Sequence, residues 1–460
     1  MRDLFPALAL LVAGCTPPGA PAPVALPPSP SNVLVLLTDD QGVDKVAAYG
    51  EHPDPPHTPR IDALARDGLL FRNAWATPSC SPTRAALLTG RTGRRTGVGG
   101  VLQVEEAGEL PLDEVTLPRL LREAAPTPWA TAALGKWHLS GYAAPDGVDH
   151  PVRAGFDVFR GSMGNLYDVG VDDGQRHSYY HWDKVSDGAL AVTERYATSD
   201  TVDDALALAA ELPEPWLLYV AFNAPHRPLD PPPEALHTLG PLTEDSPEAV
   251  RYQAVVEALD TEIGRLLDGL DPAVRERTTV IFASDNGTPE HAVLPPWSPS
   301  RGKDTPFEGG INVPLVVSGP LVAAPGTETD ALVQLLDVFA TVADIAGVPA
   351  SALDGVALDS RSLLPLLRGE PDPQRAFVHS EQFNPPGPGP YVADWRMTRG
   401  ARFKVVTRAE RDALFDLAGR DDDGPVLDPA ALPAEVGAEV DALLAEHARY
   451  WAEIPPFTGR

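Results

Sequence analysis

Polar side chains that can bind metals or carry charge follow four apolar segments of the chain, each at the point where the segment ends. The segments and the residues that follow them are 33–37 with Asp39 and Asp40, 129–134 with Lys136 and His138, 216–222 with Asn223 and His226, and 279–284 with Asp285 and Asn286. Such apolar segments are typical of parallel strands that helices cover on both faces. Ligands in open α/β sheets bind beyond the carboxyl ends of the strands, so four such endings at one edge would form a single site.

Cys80 lies directly before a predicted helix. Ser81 is expected to be the N-cap of this helix and Pro82 its first residue. The side chain of Cys80 would then lie at the positive end of the helix dipole, where a polar or anionic nucleophile is favoured. The alternative is a buried free cysteine that only packs.

The sequence that starts at Cys80 resembles the signature of the sulfatase family, Cys-x-Pro-x-Arg followed by Leu-x-Thr-Gly. The matching residues are Cys80, Pro82, Arg84, Leu87, Thr89 and Gly90. The resemblance extends in order from residue 32 to about residue 320 and more faintly over 412–417. It implies an α/β fold of the alkaline-phosphatase-like type, a sandwich with a large mixed, mainly parallel central sheet. The residue pattern from about Gly369 onward predicts in addition a smaller C-terminal antiparallel subdomain.

In the sulfatase family this cysteine is oxidised to formylglycine, so the resemblance implies a formylglycine-generating maturation enzyme as a partner. It also implies one divalent cation with the ligands Asp39, Asp40, Cys80 as formylglycine, Asp285 and Asn286. These ligands are oxygen donors, which suit Ca²⁺ or Mg²⁺ rather than Zn²⁺, and the crowded shell favours Ca²⁺. Taken without the family, Asp285-Asn286-Gly287 is also a common turn and Asp39-Asp40 could cap a helix.

The catalytic residues that the resemblance implies are Cys80, Arg84, Lys136, His138, His226 and Lys303. In the implied reaction one hydroxyl of the hydrated aldehyde attacks sulfur and displaces the alcohol. Arg84 and the metal polarise this hydroxyl, and Lys136 holds the sulfate. His226 and Lys303 assist the leaving oxygen, and His138 is the base that deprotonates the second hydroxyl and so releases sulfate. The sequence departs from the family at Asn312, where an arginine is common, so a local salt bridge or a contact at the rim of the site is expected to be missing.

The expected activity is hydrolysis of sulfate monoesters, with a small aryl or carbohydrate sulfate as the substrate. Two alternatives stay open: a phosphonate or phosphate monoester hydrolase of the same superfamily, which could use the same groups, and a non-catalytic surface binding lipoprotein. Aromatic residues in 177–182 and 291–300 could line the substrate entrance or could pack inside the protein.

The net charge restricts the partners. The chain of 460 residues has a formal net charge of -29. Because this charge repels nucleic acid and anionic membrane surfaces, neither is an expected partner. A sulfated substrate therefore requires a locally cationic pocket, and small or sparsely sulfated substrates are expected to be preferred.

Residues 1–15 resemble a bacterial lipoprotein signal peptide, with Arg2 before an apolar run over 4–13 that is too short to span a bilayer. Cys15 is expected to carry a lipid anchor, with an ordinary secretory peptide as the alternative. The protein is thus expected to be exported and anchored in the bacterial cell envelope, in the periplasm or at the outer membrane or cell surface. Once Cys15 is lipidated only Cys80 remains, so no internal disulfide is expected.

The rest of the chain is predicted to form a Pro/Ala-rich tether over 16–31, a catalytic domain over 32–368 and a C-terminal subdomain over 369–460. Two helices of the catalytic domain are expected to begin at Thr58-Pro59 and Ser246-Pro247, each with proline as the first helical residue. The predicted elements of the C-terminal subdomain are strands over 375–383, 391–396 and 403–406 and a final helix over 434–450.

Overall fold

The computed structural model describes residues 31–295, 297–356, 358–370, 375–418 and 423–459. The predicted signal peptide, Cys15 and all but the last residue of the predicted tether lie outside these residues. Among the helices described, none is long and apolar enough to cross a membrane.

The strands are β1 (Asn32–Thr38), β2 (Gly68–Trp75), β3 (Ala130–Gly135), β4 (Val158–Gly161), β5 (Trp182–Ser186), β6 (Ala189–Thr193), β7 (Trp216–Ala221), β8 (Thr278–Ser284), β9 (Leu315–Ser318), β10 (Thr327–Gln334), β11 (Val378–Asn384), β12 (Ala393–Arg399), β13 (Phe403–Arg408) and β14 (Arg411–Asp416). The helices are α1 (Pro59–Arg66), α2 (Cys80–Thr89), α3 (Gly93–Thr96), α4 (Leu117–Ala124), α5 (His150–Arg153), α6 (Ala197–Glu211), α7 (Glu248–Gly269), α8 (Pro272–Glu276), α9 (Glu308–Ile311), α10 (Asp337–Ile345), α11 (Leu364–Leu367) and α12 (Ala434–Glu453).

The first ten strands form one mixed sheet in the order β10-β2-β9-β8-β1-β7-β3-β4-β5-β6. The five adjacent strands β8, β1, β7, β3 and β4 are parallel, whereas β9, β5 and β6 join their neighbours in antiparallel pairs. The four strands predicted from the apolar segments are therefore neighbours. Their register pairs Thr38 with Ser284, and Ala221 with both Leu37 and Gly135. The four strands thus end level, as the prediction of a single site requires.

Helices cover both faces of this sheet. Val33, Val35 and Leu37 of β1 belong to one buried cluster together with residues of α2, α4 and α10. Leu34 and Leu36 belong to a second cluster together with residues of α1, α6 and α7. Because β1 buries both faces, its residues from Val33 to Leu37 are all apolar, which is the pattern that predicted the strand.

The two predicted helix starts differ in outcome. Helix α1 begins at Pro59 after Thr58, as predicted. Helix α7 begins at Glu248, so Pro247 is its N-cap and not its first helical residue, and that prediction was wrong by one position. The ring of Pro247 fixes only its own φ, which suits either position.

The C-terminal antiparallel sheet has the order β11-β12-β13-β14, of which the sequence predicted the first three strands. Helix α12 packs Val440 and Leu443 against Phe403, Val405 and Leu414 of this sheet. The predicted antiparallel sheet and final helix are confirmed. The division into domains at 368/369 stays a prediction.

Candidate active site

The metal-capable residues lie where β1 and β8 end. Backbone hydrogen bonds continue the strand pairing past the last strand residues, since the amide of Asp285 donates to the Thr38 carbonyl and the amide of Asp39 donates to the Ala224 carbonyl, both at 3.0 Å. Asp40 has a left-handed backbone with a φ of 66°. Its amide donates to Oδ1 of Asp285 at 3.2 Å, which offsets part of the cost of that conformation.

Helix α2 places Cys80 against these carboxylates. The helix begins at Cys80 with Ser79 as the N-cap, so the predicted start, with Ser81 as N-cap and Pro82 as first residue, was wrong by two positions. Pro82 fits inside the first turn because amide groups there have no helical partner. The Ser81 hydroxyl instead accepts a hydrogen bond from the Leu102 amide at 3.1 Å.

The sulfur of Cys80 is buried among charged groups. It lies 3.6 Å from Oδ1 of Asp39 and 3.7 Å from the ammonium nitrogen of both Lys136 and Lys303. Burial and the carboxylate of Asp39 raise the pKa of the Cys80 thiol, so the thiol stays protonated at neutral pH. An unmodified Cys80 would therefore be a poor nucleophile, because the thiolate is the reactive form.

Arg84 and Lys136 hold the carboxylate of Asp39 from one side. Lys136 lies 2.5 Å from Oδ2 of Asp39, and a terminal nitrogen of Arg84 lies 3.2 Å from the same oxygen. Although burial alone would raise it, the charge of Lys136 holds the pKa of Asp39 well below its usual value. Arg84 also donates to the Lys136 carbonyl at 2.7 Å, which ties α2 to the end of β3.

Lys303 and His226 face the carboxylate of Asp40 from the other side. The ammonium of Lys303 lies 2.7 Å from Oδ1 of Asp40, and Nε2 of His226 lies 3.7 Å from Oδ2. Although burial alone would lower it, Asp40 raises the pKa of Lys303 well above its usual value. Burial and the charge of Lys136 lower the pKa of His226 well below its usual value. At neutral pH Lys303 is thus charged and His226 neutral.

His138 follows β3 and is completely buried, with a left-handed φ of 58°. Its amide donates to the Met163 carbonyl at 2.8 Å, and its Nδ1 has no hydrogen-bond partner among the described residues. Burial, together with the charges of Lys136 and Arg84, lowers the pKa of His138 well below its usual value. The imidazole is therefore neutral, which is the form a general base requires.

The residues at the ends of β1 and β8 fit a hard divalent cation. Oδ1 of Asn286 is buried and has no hydrogen-bond partner in the described part of the chain, while its Nδ2 donates to Asp40 at 2.7 Å. Burial and the neighbouring Asp39 raise the pKa of Asp285 to about 6. A cation beside these oxygens would give Asn286 a partner and would remove the cost of crowding buried carboxylates. Oxygen donors of this kind are the ligands of Ca²⁺ and Mg²⁺.

Charge balance supports the same conclusion. Asp39, Asp40 and Asp285 carry three negative charges, and Arg84, Lys136 and Lys303 carry three positive charges, so the six groups together are neutral. A neutral pocket in a protein of net charge -29 would attract a sulfate ester weakly. One divalent cation would make the pocket positive.

Sequence reasoning missed three residues that follow β4. Oδ1 of Asn165 accepts a hydrogen bond from the ammonium of Lys136 at 2.8 Å, and Asp168 accepts one from the Asn165 amide at 2.6 Å. Tyr167 places its ring 6.0 Å from that of His226 and is 48% exposed, at the edge of the site. Strand β4 ends at the same edge as β1, but it has only four residues, including Arg160, so it gave no apolar signal.

The aromatic segments considered for the substrate entrance are mostly packed inside the protein. Tyr179, Trp182 and Trp297 are buried, and Tyr180 is the exposed aromatic residue among them. The Tyr179 hydroxyl donates to the His226 carbonyl at 2.9 Å, so this buried side chain helps to fix the backbone of His226. Asn312 is also outside the site, where it pairs with Trp75 in an isolated bridge.

The chain resembles known sulfatases over most of its length. The family model described as Sulfatase matches residues 31–348. Arylsulfatase G of Rattus norvegicus is 31% identical over 381 residues, which cover 71% of this chain and 67% of that protein. N-acetylgalactosamine-6-sulfatase of Canis lupus familiaris is 32% identical over 371 residues, which cover 74% of this chain and 67% of that protein. The crystal structure of Ps i-CgsB has a TM-score of 0.74 at 24% identity and covers 92% of each chain.

This protein belongs to the sulfatase family. The enzyme class is accordingly that of a sulfuric ester hydrolase, and its reaction is the hydrolysis of sulfate monoesters. The predicted family, fold and enzyme class are confirmed.

Proposed function

We propose that this sulfatase hydrolyses small aryl or carbohydrate sulfates with a formylglycine, made from Cys80, as the nucleophile. The observation that carries the proposal is the position of Sγ of Cys80, within 3.7 Å of the ammonium groups of Lys136 and Lys303 and 3.6 Å from Asp39. Two ammonium groups this close to the sulfur position suit a sulfate ester that approaches this atom. Known arylsulfatase and N-acetylgalactosamine-6-sulfatase relatives support the two substrate classes.

Asp39, Asp40, Asp285 and Asn286 would hold the divalent cation, with Ca²⁺ preferred to Mg²⁺ and residue 80 as a further ligand. The formylglycine supplies a hydrated aldehyde with two hydroxyls for attack and release, and the cation supplies Lewis-acid polarisation. The unpartnered Oδ1 of Asn286 supports this assignment.

The chain's own cations bind and orient the ester. Lys136 binds the sulfate group, and its ammonium is fixed by hydrogen bonds to Asp39 and Asn165. Lys303 is positively charged at neutral pH and stabilises the negative charge that develops on the leaving oxygen. Arg84 is held by Asp285 with its guanidinium beside Asp39, so it orients the metal ligands and adds positive charge to the site.

The two histidines move protons. Nε2 of His226 faces the site, because Nδ1 lies 2.8 Å from the Arg227 carbonyl and donates to it. In the neutral ring Nε2 carries no proton, so His226 takes one up from solvent at Nε2 before it protonates the leaving oxygen. His138 is neutral and accepts the proton whose loss releases sulfate. Its unpartnered Nδ1 supports this role.

The proposed function also requires that the chain is modified and exported before it becomes active. A formylglycine-generating enzyme would oxidise Cys80 before the protein folds, since Cys80 is buried in the folded state. Export and a lipid anchor on Cys15 would place the enzyme in the bacterial cell envelope. The signal-like sequence of residues 1–15 supports this location.

The test of the activity compares kcat/KM for p-nitrophenyl sulfate and for an aryl phosphonate with the same leaving group. We expect the sulfate to be the better substrate and the Cys80→Ala variant to be inactive on both. Preference for the phosphonate would contradict the proposal.

The test of the metal is a calcium titration of chelator-treated protein. Asn286→Ala should weaken Ca²⁺ binding at least about tenfold. The matched control is Asn312→Ala, because Asn312 is also buried but lies outside the site. Equal Ca²⁺ affinity in the two variants would contradict the ligand assignment.

A further inference from the structure

A second cluster of metal-capable side chains lies in the segment after β4, which forms one wall of the active site. Asp173, His177 and His181 each offer one ligand atom, and the three atoms lie within 4.8 Å of one another. Nε2 of His181 is 2.8 Å from Oδ2 of Asp173, and the two imidazole rings are 5.4 Å apart between centroids. None of these residues belongs to the catalytic set described above.

The local backbone fixes the three side chains. Ser178 and His181 exchange backbone hydrogen bonds across a tight turn, which brings His177 and His181 together. Oδ1 of Asp173 accepts a hydrogen bond from the Gln175 amide at 3.0 Å, so its other oxygen is directed to the histidines. The arrangement is therefore set by the chain and not only by contacts among the three side chains.

The hydrogen bonding of His177 leaves one of its ring nitrogens, Nε2, available to a ligand. Nδ1 of His177 lies 3.2 Å from the Asp168 carbonyl, and because a carbonyl can only accept, Nδ1 carries the proton. When a metal ion binds, Nε2 is therefore the ring nitrogen that offers its lone pair. It is buried, and no described residue donates a hydrogen bond to it. The side chain of His177 is 1% exposed, so this lone pair is almost removed from solvent.

We propose that Asp173, His177 and His181 bind one Zn²⁺ ion. Two imidazole nitrogens and one carboxylate are the donor set of a borderline transition metal and not of Ca²⁺. The hydrogen bond from Nδ1 of His177 to a carbonyl is the outer contact that metal-binding histidines use to fix the ring. A simple ion pair between His181 and Asp173 would leave Nε2 of His177 without a partner, whereas a metal ion satisfies all three groups.

This ion would stabilise the wall of the active site without taking part in the reaction. Asp168, whose carbonyl accepts from His177, also accepts from the amide of Asn165, which in turn contacts Lys136. Tyr179, between the two histidines, donates to the His226 carbonyl. Since Asp173 is exposed, the ion keeps an open side toward solvent.

The experiment uses the full mature enzyme, stripped of metals and then saturated with Ca²⁺ so that the oxygen-rich site is filled. Zn²⁺ is added in a calorimetric titration, and Co²⁺ is added in a parallel sample whose visible absorption reports nitrogen coordination. We expect one Zn²⁺ per chain, and we expect Asp173→Asn to weaken its binding at least about tenfold. The matched control is Asp172→Asn, since Asp172 is the preceding exposed aspartate and its side chain accepts a hydrogen bond from the Gly174 amide.

A second variant, His181→Asn, removes a partly buried ligand and should lose the Co²⁺ absorption while circular dichroism shows a folded protein. The proposal is overturned if the calcium-loaded enzyme binds no Zn²⁺. It is also overturned if Asp173→Asn binds Zn²⁺ as tightly as Asp172→Asn, because the ion would then lie elsewhere, for example among Asp39, Asp40, Cys80 and His226.

Discussion

Arg84 donates two hydrogen bonds, from Nε and from a terminal nitrogen, to the same oxygen of Asp285, and neither side chain is exposed to solvent. The pair joins α2 to the end of β8. It also brings the guanidinium to 3.2 Å from Asp39. One buried ion pair therefore links the proposed nucleophile to two proposed metal ligands.

Breaking this pair should destabilise the protein as well as the site. Arg84→Ala leaves the carboxylate of Asp285 buried without its partner, and we expect the free energy of unfolding to fall by about 3–5 kcal/mol. Urea unfolding of the metal-free protein measures it. The control is Arg402→Ala, since Arg402 pairs with Asp416 at the surface and its removal should leave the unfolding midpoint nearly unchanged. Equal midpoints for the two variants would contradict the structural role given to Arg84.

Removal of Lys303 should affect the rate according to the leaving group. Because its ammonium is the charged group proposed to stabilise the leaving oxygen, Lys303→Ala should lower kcat by about 10²–10³-fold for a poor leaving group such as phenol. The loss should be smaller for p-nitrophenol, whose oxygen needs less stabilisation. Steady-state kinetics on a series of aryl sulfates measures the trend. The control is Lys184→Ala, which removes a lysine that pairs with Asp200 and Asp204. A rate loss for Lys303→Ala that does not depend on the leaving group would contradict the role proposed for Lys303.

Acid should destabilise the protein through His150. The indole of Trp137 donates to Nδ1 of His150 at 3.1 Å, and Nε2 of His150 donates to the Leu110 carbonyl at 2.8 Å, so the ring is neutral. Burial lowers the pKa of His150 to about 4, whereas the unfolded value is about 6.5. Below pH 6.5 the unfolded chain binds the additional proton, so stability is lost as the pH falls from about 6.5 to 4, by about 3 kcal/mol for this residue.

The measurement is denaturant unfolding between pH 7 and pH 4. His150→Gln, which cannot titrate, should show a flatter pH dependence than the wild type, even if it is less stable at pH 7. Parallel curves for the two proteins would exclude His150 as a source of the acid sensitivity. The residue matters for the site because Trp137 lies between Lys136 and His138.

Salt should affect substrates according to the number of their sulfate groups. The net charge of -29 repels anions over a distance that shrinks as ionic strength rises. The repulsion acts on the single sulfate group of a monosaccharide sulfate, whereas in a polysulfated oligosaccharide it acts on every sulfate group. We expect kcat/KM for the oligosaccharide to rise as salt is added from low levels, and that for an aryl sulfate to change little. A fall for the oligosaccharide would indicate a basic groove that outweighs the net charge.

The sequence predicted the strands of the site well and their surroundings less well. Strands β1, β3, β7 and β8 are buried on both faces, so their composition alone identified them, and the level register brought Asp39, Lys136, His226 and Asp285 together as predicted. Asn165 could not be predicted in this way, because β4 is short and contains Arg160. The start of α2 was misplaced because both Ser79 and Ser81 are good N-cap residues, and only tertiary contacts decide between them.

The most direct test of the account is mass spectrometry of the peptide that contains residue 80, combined with an assay of the same preparation. We predict that active enzyme carries an aldehyde in place of the Cys80 thiol, and that specific activity on p-nitrophenyl sulfate rises in proportion to the converted fraction. Co-expression with and without a formylglycine-generating enzyme provides samples with different converted fractions. Full activity in a preparation whose Cys80 is entirely an unmodified thiol would contradict the proposed mechanism.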